Sequence, residues 1–234
     1  RLERGALSSW RNRFDSSFGA VLYPWLTVAD PGSDARATEV PPSGHVAGSY
    51  AQVDLSEGVH AAAANRRLEW AAGLTDHIDD RAQSELNPAG VNCLRSFPGR
   101  GLRLYGARTA SSDSSLRYVN VRRLLMMVAE ALEEQLAWAA FEPHDFVLRQ
   151  KIVVVAGGFL RALWTAGALR GASPAEAYFV RCDDTTNPPE DVRAGRLRAE
   201  IGLAIVRPAE FIVLRLGRTD GRIEIDEEAG SPWR

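Results

Sequence analysis

Lysine is nearly absent from this 234-residue chain; it occurs once, at Lys151, and the remaining basic charge is arginine. That bias reads as genomic composition rather than chemistry. Only two cysteines are present, Cys93 and Cys182. Two cannot form a disulfide framework or a zinc pattern, so they read as buried free thiols in a reducing compartment. No apolar run reaches the ~18 residues a membrane span needs, so no membrane insertion is expected. The four histidines (His45, His60, His77, His144) are scattered. Asp76-His77 with Asp79 and Asp80 lacks a second histidine one helical turn away, which argues against a metal site. No G-x-G-x-x-G, G-x-x-x-x-G-K-[ST] or G-x-S-x-G pattern occurs, so nucleotide binding and a nucleophile elbow are unsupported. Ser43-Gly44-His45 reads as a helix cap and turn rather than a nucleophile beside its base. No cofactor, metal site or catalytic group is expected.

What is present is a block of arginine. Gly90 to Leu125 carries Arg95, Arg100, Arg103, Arg108, Arg117, Arg122 and Arg123 against a single acid, Asp113. The preceding stretch, Asp54 to Glu85, carries seven acids and three arginines. The chain as a whole has a net charge of −2. A dedicated nucleic-acid binder is usually basic throughout. Two opposite patches instead suit self-association, one copy's basic face meeting the next copy's acidic face. They equally suit neutralisation inside one fold, and charge by itself leaves both open. A phosphate- or RNA-binding module is the alternative, with Tyr105 and Tyr118 as stacking platforms.

The length fits one large domain or two small ones, enough to bury roughly 70–75% of the unfolded surface. Arg1–Arg13 reads as the end of a helix. Phe18–Ala29 is rich in strand formers and interrupted by Pro24. Asp30–Pro42 reads as a loop opened by Asp30-Pro31-Gly32, and Ser43 as the cap of a short helix over 44–54. Alanine-rich Ala61–Ala72 reads as helix. Pro98-Gly99 marks a tight turn, and Gly101–Arg108 a strand. Asn120 can cap a helix whose Val121, Leu124, Leu125, Val128, Leu132 and Leu136 share one apolar face. Phe146–Leu169 leaves two readings open: Ile152-Val153-Val154-Val155 favours a strand, while the length favours a helix with Gly157-Gly158 as a weak point. Ser173-Pro174-Ala175-Glu176 opens a capping box. Tyr178–Cys182 is a strand, Asp183–Gly195 a polar loop, and Leu197–Val206 and Glu210–Leu216 two further strands parted by Pro208. Helices and strands mix without strict alternation, which gives an α+β (mixed α/β) fold, a mixed β-sheet flanked by helices.

Several segments together resemble contractile tail sheath proteins, the family of contractile-tailed phages, R-type bacteriocins and phage-tail-like contractile injection systems. They are Pro41-Pro42-Ser43-Gly44-His45-Val46-Ala47-Gly48; Gly90-Val91-Asn92; Arg95-Ser96-Phe97-Pro98-Gly99-Arg100-Gly101; Gly106-Ala107-Arg108-Thr109; and Arg117-Tyr118-Val119-Asn120-Val121-Arg122-Arg123-Leu124. Phe141-Glu142-Pro143, Asn187-Pro188 and Pro208-Ala209-Glu210-Phe211 continue the order. Tyr105 stands where the family has tryptophan, and Glu57–Leu86 departs from its pattern. The resemblance covers the carboxy-terminal part of such proteins, and a chain opening on Arg1 rather than Met reads as part of a longer one.

The resemblance implies a structural part rather than an enzyme. Its copies would stack as hexameric rings around an inner tube, with baseplate and cap proteins at the ends, in the cytoplasm or on a released particle. Contraction would drive the tube through a target envelope, and no nucleic acid is expected as a partner. On this reading, 1–208 is the sheath core, 209–217 an arm strand and 218–234 an acidic tail. The arm (Glu210, Phe211, Ile212, Val213, Leu214, Arg215, Leu216) is expected to leave its own domain and add to a neighbour's sheet. The other reading is an ordinary last strand at home. Arg95, Phe97, Pro98, Gly99, Arg100, Gly101, Arg108, Arg117, Asn120, Arg122 and Arg123 are the signature and interface candidates, with Glu130, Glu133 and Glu134 or the acidic stretch as ion-pair partners.

Overall fold

The computed structural model describes residues 4–29, 37–205, 211–219 and 222–229. The Asp30-Pro31-Gly32 turn, Pro208 and Glu210 lie outside the described residues. The chain divides into two compact units, residues 1–124 and 125–234.

The first unit contains α1 (Arg4–Arg11), β1 (Val21–Tyr23), β2 (Leu26–Ala29), β3 (Ala37–Val40), α2 (Ser43–Ser56), β4 (Gly73–Leu74), α3 (Asp80–Leu86), β5 (Val91–Phe97) and β6 (Gly101–Tyr105). Its centre is β5, which pairs parallel with β1 and antiparallel with β6. Residues 91–95 are all buried, as a strand covered on both faces requires. Alternation sends Val91 and Cys93 into one apolar cluster with Leu7, Tyr23, Ile78, Ala82 and Leu86. Leu94 enters the other, with Leu26, Val46, Val53, Leu68 and Leu104. A second sheet has the order β3-β2-β4.

Local signals failed at several places in this unit. The helix expected over Ala61–Ala72 is absent. Its backbone bonds instead to β6, from Asn65 N to Leu104 O (2.6 Å) and from Leu68 N to Leu102 O (2.8 Å). Asn65 and Trp70 sit at positive φ, so no helix passes through them. Burying Ala63 and Leu68 against the β5–β6 hairpin outweighs alanine's helix preference. Part of the expected 30–42 loop is β3, paired with β2. Pro42 rather than Ser43 takes the cap position of α2, and its carbonyl accepts from Val46 N at 3.0 Å.

The helix α4 (Val119–Leu136) begins in the first unit, and its greater part belongs to the second. All six of its expected apolar-face residues are buried, while Glu130 and Glu134 are exposed. A 3₁₀ turn (Ala137–Phe141) follows, then α5 (Phe146–Thr165). Asp145 caps α5 by accepting from Leu148 N at 2.8 Å, and the helix runs unbroken through Gly157-Gly158. Next come α6 (Pro174–Ala177), β7 (Tyr178–Arg181), α7 (Pro189–Arg193), β8 (Arg198–Ala204), β9 (Phe211–Thr219) and β10 (Arg222–Ala229). The Ser173 hydroxyl makes no cap bond, but Glu176 reaches back to accept from Ala172 N at 2.9 Å. The short α7, with proline at its start, lies inside the expected 183–195 loop. The last four strands form one antiparallel sheet in the order β10-β9-β8-β7.

Candidate functional site

The arginine block starts on the β5–β6 hairpin. Pro98 and Gly99 make its tip; Arg100 N donates to Phe97 O at 3.0 Å. Gly99 and Gly101 both hold positive φ, which explains two glycines in so short a turn. Arg95 is buried. Its Nε donates to Ile78 O (3.1 Å) and its Nη2 to Asp80 (2.7 Å). Its guanidinium also lies 4.9 Å from the Phe97 ring centre and 5.3 Å from that of Tyr105. Exposed Arg100 stacks on Phe97 at 4.5 Å. Cations and rings therefore alternate along the hairpin, which stiffens it.

The other signature residues act mostly within the first unit. Arg123 makes a two-pronged pair with Asp54, at 2.8 and 2.5 Å. Those hydrogen bonds push the Arg123 pKa above its ordinary value, and burial pushes the neighbouring Tyr50 up. Arg122 is buried with its guanidinium 3.7 Å from the Phe18 ring centre. Arg108 donates to Pro88 O, and the Arg117 carbonyl accepts from Thr109 N. Asn120 does not cap α4: it lies inside the first turn and donates to His60 O at 2.9 Å. The acidic stretch and the arginine block are thus joined within one fold at Arg95–Asp80 and Arg123–Asp54. Other acids of that stretch are also engaged. Asp79 caps α3 through Ala82 N, and Asp76 accepts from Tyr23 OH at 2.8 Å.

Two asparagines carry more than sequence reasoning assigned them. Asn92 accepts from Arg108 N (2.6 Å) and donates to Arg108 O (2.7 Å) and Val21 O (3.1 Å). Asn187 does the same to another backbone, accepting from Arg198 N (2.7 Å) and donating to Arg198 O (2.8 Å). Each buried amide bonds both the N–H and the carbonyl of one residue, as a peptide unit does. A Cβ on Gly106 would lie 2.7 Å from Asn92 Oδ1, so the glycine of the Gly106-Ala107-Arg108-Thr109 segment makes room for this clamp. The signal was the recurrence of asparagine within the quoted segments.

The arm residues Phe211 to Leu216 form most of β9. In the single chain β9 pairs with β8 from Arg198↔Gly217 to Ala204↔Phe211, and its other edge pairs with β10. The segment expected as an acidic tail thus contributes β10 from Arg222 to Ala229.

Family profiles match the chain nearly end to end: the phage tail sheath protein central domain over residues 9–110, and the phage tail sheath C-terminal domain over residues 111–217. The tail sheath protein of Burkholderia phage BcepMu is 34% identical over 200 residues, which cover 81% of this chain and 40% of that protein. The sheath complex of the PVC extracellular contractile injection system in its contracted state superposes with a TM-score of 0.80. It has 33% identity, over 89% of this chain and 58% of that one. The contracted helical sheath of the anti-feeding prophage gives 0.75 at 34% identity, over 84% of this chain and 55% of that one. The chain therefore spans about half the length of the relatives it matches. Two adjoining domain matches and a shared fold at one-third identity have one reading: this chain belongs to the contractile tail sheath protein family, with the family's central and C-terminal domains.

Proposed function

We propose that the protein is a structural sheath subunit, not an enzyme. Copies polymerise as stacked hexameric rings around an inner tube and hold to baseplate and cap proteins at the ends. A change of lattice packing then drives the tube through a target envelope. The particle is assembled in the cytoplasm or carried on a released phage-like body. Work comes from two packings of one subunit, as in other switching assemblies, so no nucleotide chemistry is needed.

The observation that carries this reading is the match to contractile sheath proteins over both domains, and the means of joining copies is the β8–β9 seam. It is a long antiparallel pairing made by a strand that follows Pro208 near the chain end. Because β9 joins β8 as an antiparallel main-chain pairing, the same seam forms whether β9 comes from the same chain or from a neighbour. We assign β9 to exchange between copies. Backbone hydrogen bonds contribute about 0.5–1.5 kcal/mol each, so a seam of this length holds by several kcal/mol. Exposed ion pairs contribute about 0–1 kcal/mol each. Strand pairing therefore persists through contraction while surface charges re-register around it. Arg100, Arg108 and Arg117 are the members of the arginine block we assign to contacts between copies. Arg95, Arg122 and Arg123 support the fold.

Negative-stain microscopy and sedimentation of the purified protein test the reading. Tubes or rings whose amount rises with concentration are expected. Protein that stays monomeric at every concentration would overturn it.

A further inference from the structure

The sheet of the second unit carries a charge pattern that its register makes visible. β7 and β8 pair at four positions, and each of these rows continues across β9 to β10. Three of the rows are apolar or mixed: Tyr178–Leu203–Ile212–Ala229, Phe179–Gly202–Val213–Glu228 and Val180–Ile201–Leu214–Glu227. The fourth is charged on every strand and alternates in sign: Arg181–Glu200–Arg215–Asp226. Its first pair is an ion pair, Arg181 Nη1 to Glu200 at 3.5 Å.

Residues directly opposite on neighbouring strands share a face and interact, favourably for opposite charges and unfavourably for like ones. The row therefore discriminates between registers. A one-residue slip of β9 turns its side chains to the wrong face. A two-residue slip keeps the face but sets Arg215 opposite Gly202 in one direction. In the other direction it sets Arg215 opposite Arg198, a like-charge pair. Of these registers, only the observed one sets an arginine position between the positions of Glu200 and Asp226.

We infer that this row is the recognition element for the exchanged strand: Glu200 on β8 selects Arg215 of a β9 supplied by a second copy and fixes its register. The inference rests on the strand-exchange reading above, and the test separates the two. One variant inverts the first pair, Arg181→Glu with Glu200→Arg. The other inverts the second pair, Arg215→Glu with Asp226→Arg. Each keeps the net charge and keeps β7–β8 and β9–β10 oppositely charged. Only the β8–β9 seam becomes like-charged.

Critical concentration for assembly is read by sedimentation, with circular dichroism confirming folded protein. Either variant by itself is expected to need about tenfold more protein to assemble. An equimolar mixture is expected to return to the wild-type value, because each β8 then meets the other variant's β9 with opposite charge. Single variants that assemble like wild type would overturn the recognition element and leave strand exchange standing. The mixture could stay defective while a chain carrying all four substitutions assembles normally. The seam would then be closed within each chain, and strand exchange would fall with the inference. Wild-type protein that never assembles removes the exchange reading first, and the inference with it. If either inverted protein fails to fold, Glu200→Gln and Arg215→Gln replace them. Their effects on critical concentration should then be less than additive in the double variant; full additivity overturns the inference.

Discussion

Replacing Asn92 should loosen the first unit more than any exposed signature residue would. The Asn92 amide is 2% exposed and makes three hydrogen bonds, two to the Arg108 backbone and one to Val21 O. Asn92→Ala removes all three and leaves one peptide N–H and two carbonyls facing an apolar gap. At about 0.5–1.5 kcal/mol per bond, plus the penalty for groups left unpaired, the loss is about 2–4 kcal/mol. Asn92→Asp keeps an acceptor for Arg108 N but turns a carboxylate oxygen toward two carbonyl oxygens. It should cost more than alanine at neutral pH, although it is the closer isostere. Because the chain has two compact units, a single unfolding free energy is ill-defined. Hydrogen exchange at the Arg108 amide is the sharper assay. A loss of about 2 kcal/mol corresponds to exchange roughly 30-fold faster. Exchange within about threefold of wild type for Asn92→Ala, or Asp milder than Ala, would refute the clamp.

Further outcomes follow from other sites. A Cβ on Gly202 would lie 2.0 Å from the Phe179 ring, so Gly202→Ala should destabilise the second unit by about 1–3 kcal/mol in thermal melts. Adding Phe179→Ala should recover part of that loss, and simple additivity would speak against the contact. Hydrogen bonds from Thr185 and Thr186 hold the Asp183 carboxyl below its ordinary pKa of 3.8. The turn's contribution is therefore complete above the unfolded value and lost as pH falls through the folded one. Asp183→Asn should flatten this acid limb of a stability–pH curve, and an unchanged limb would exclude the assignment. Burial pushes the Cys182 thiol up to about 11, and Cys93 is buried as well. Native protein at pH 8 should react slowly with a thiol reagent, and denatured protein should release both thiols. A fast native equivalent would contradict this.

Charge placement is where sequence and structure part most clearly. The sequence shows an acidic stretch followed by an arginine block, and it leaves open whether they meet within a copy or between copies. The fold joins Asp54 to Arg123 across 69 positions and Asp80 to Arg95 across 15. These pairs exist because α2 and α4 approach at one point, and α3 and β5 at another. Asn92 and Asn187 stood in view as parts of recurring segments. Their partners, Arg108 and Arg198, could be found only once the backbone was folded. The misread Ala61–Ala72 shows the same limit from the other side, since its helix propensity was outweighed by bonds to β6.

By itself the sequence determined the elements whose cause is local. The apolar spacing of α4 and the Pro98-Gly99 turn each lie within one short window, where periodicity or φ preference suffices. Tertiary structure alone decided which arginines meet which acids, which backbone groups the two asparagines clamp, and that Arg181, Glu200, Arg215 and Asp226 stand in one row. The reason is physical: register and long-range pairing are set by backbone hydrogen bonds between distant strands, and no short stretch of sequence contains both partners.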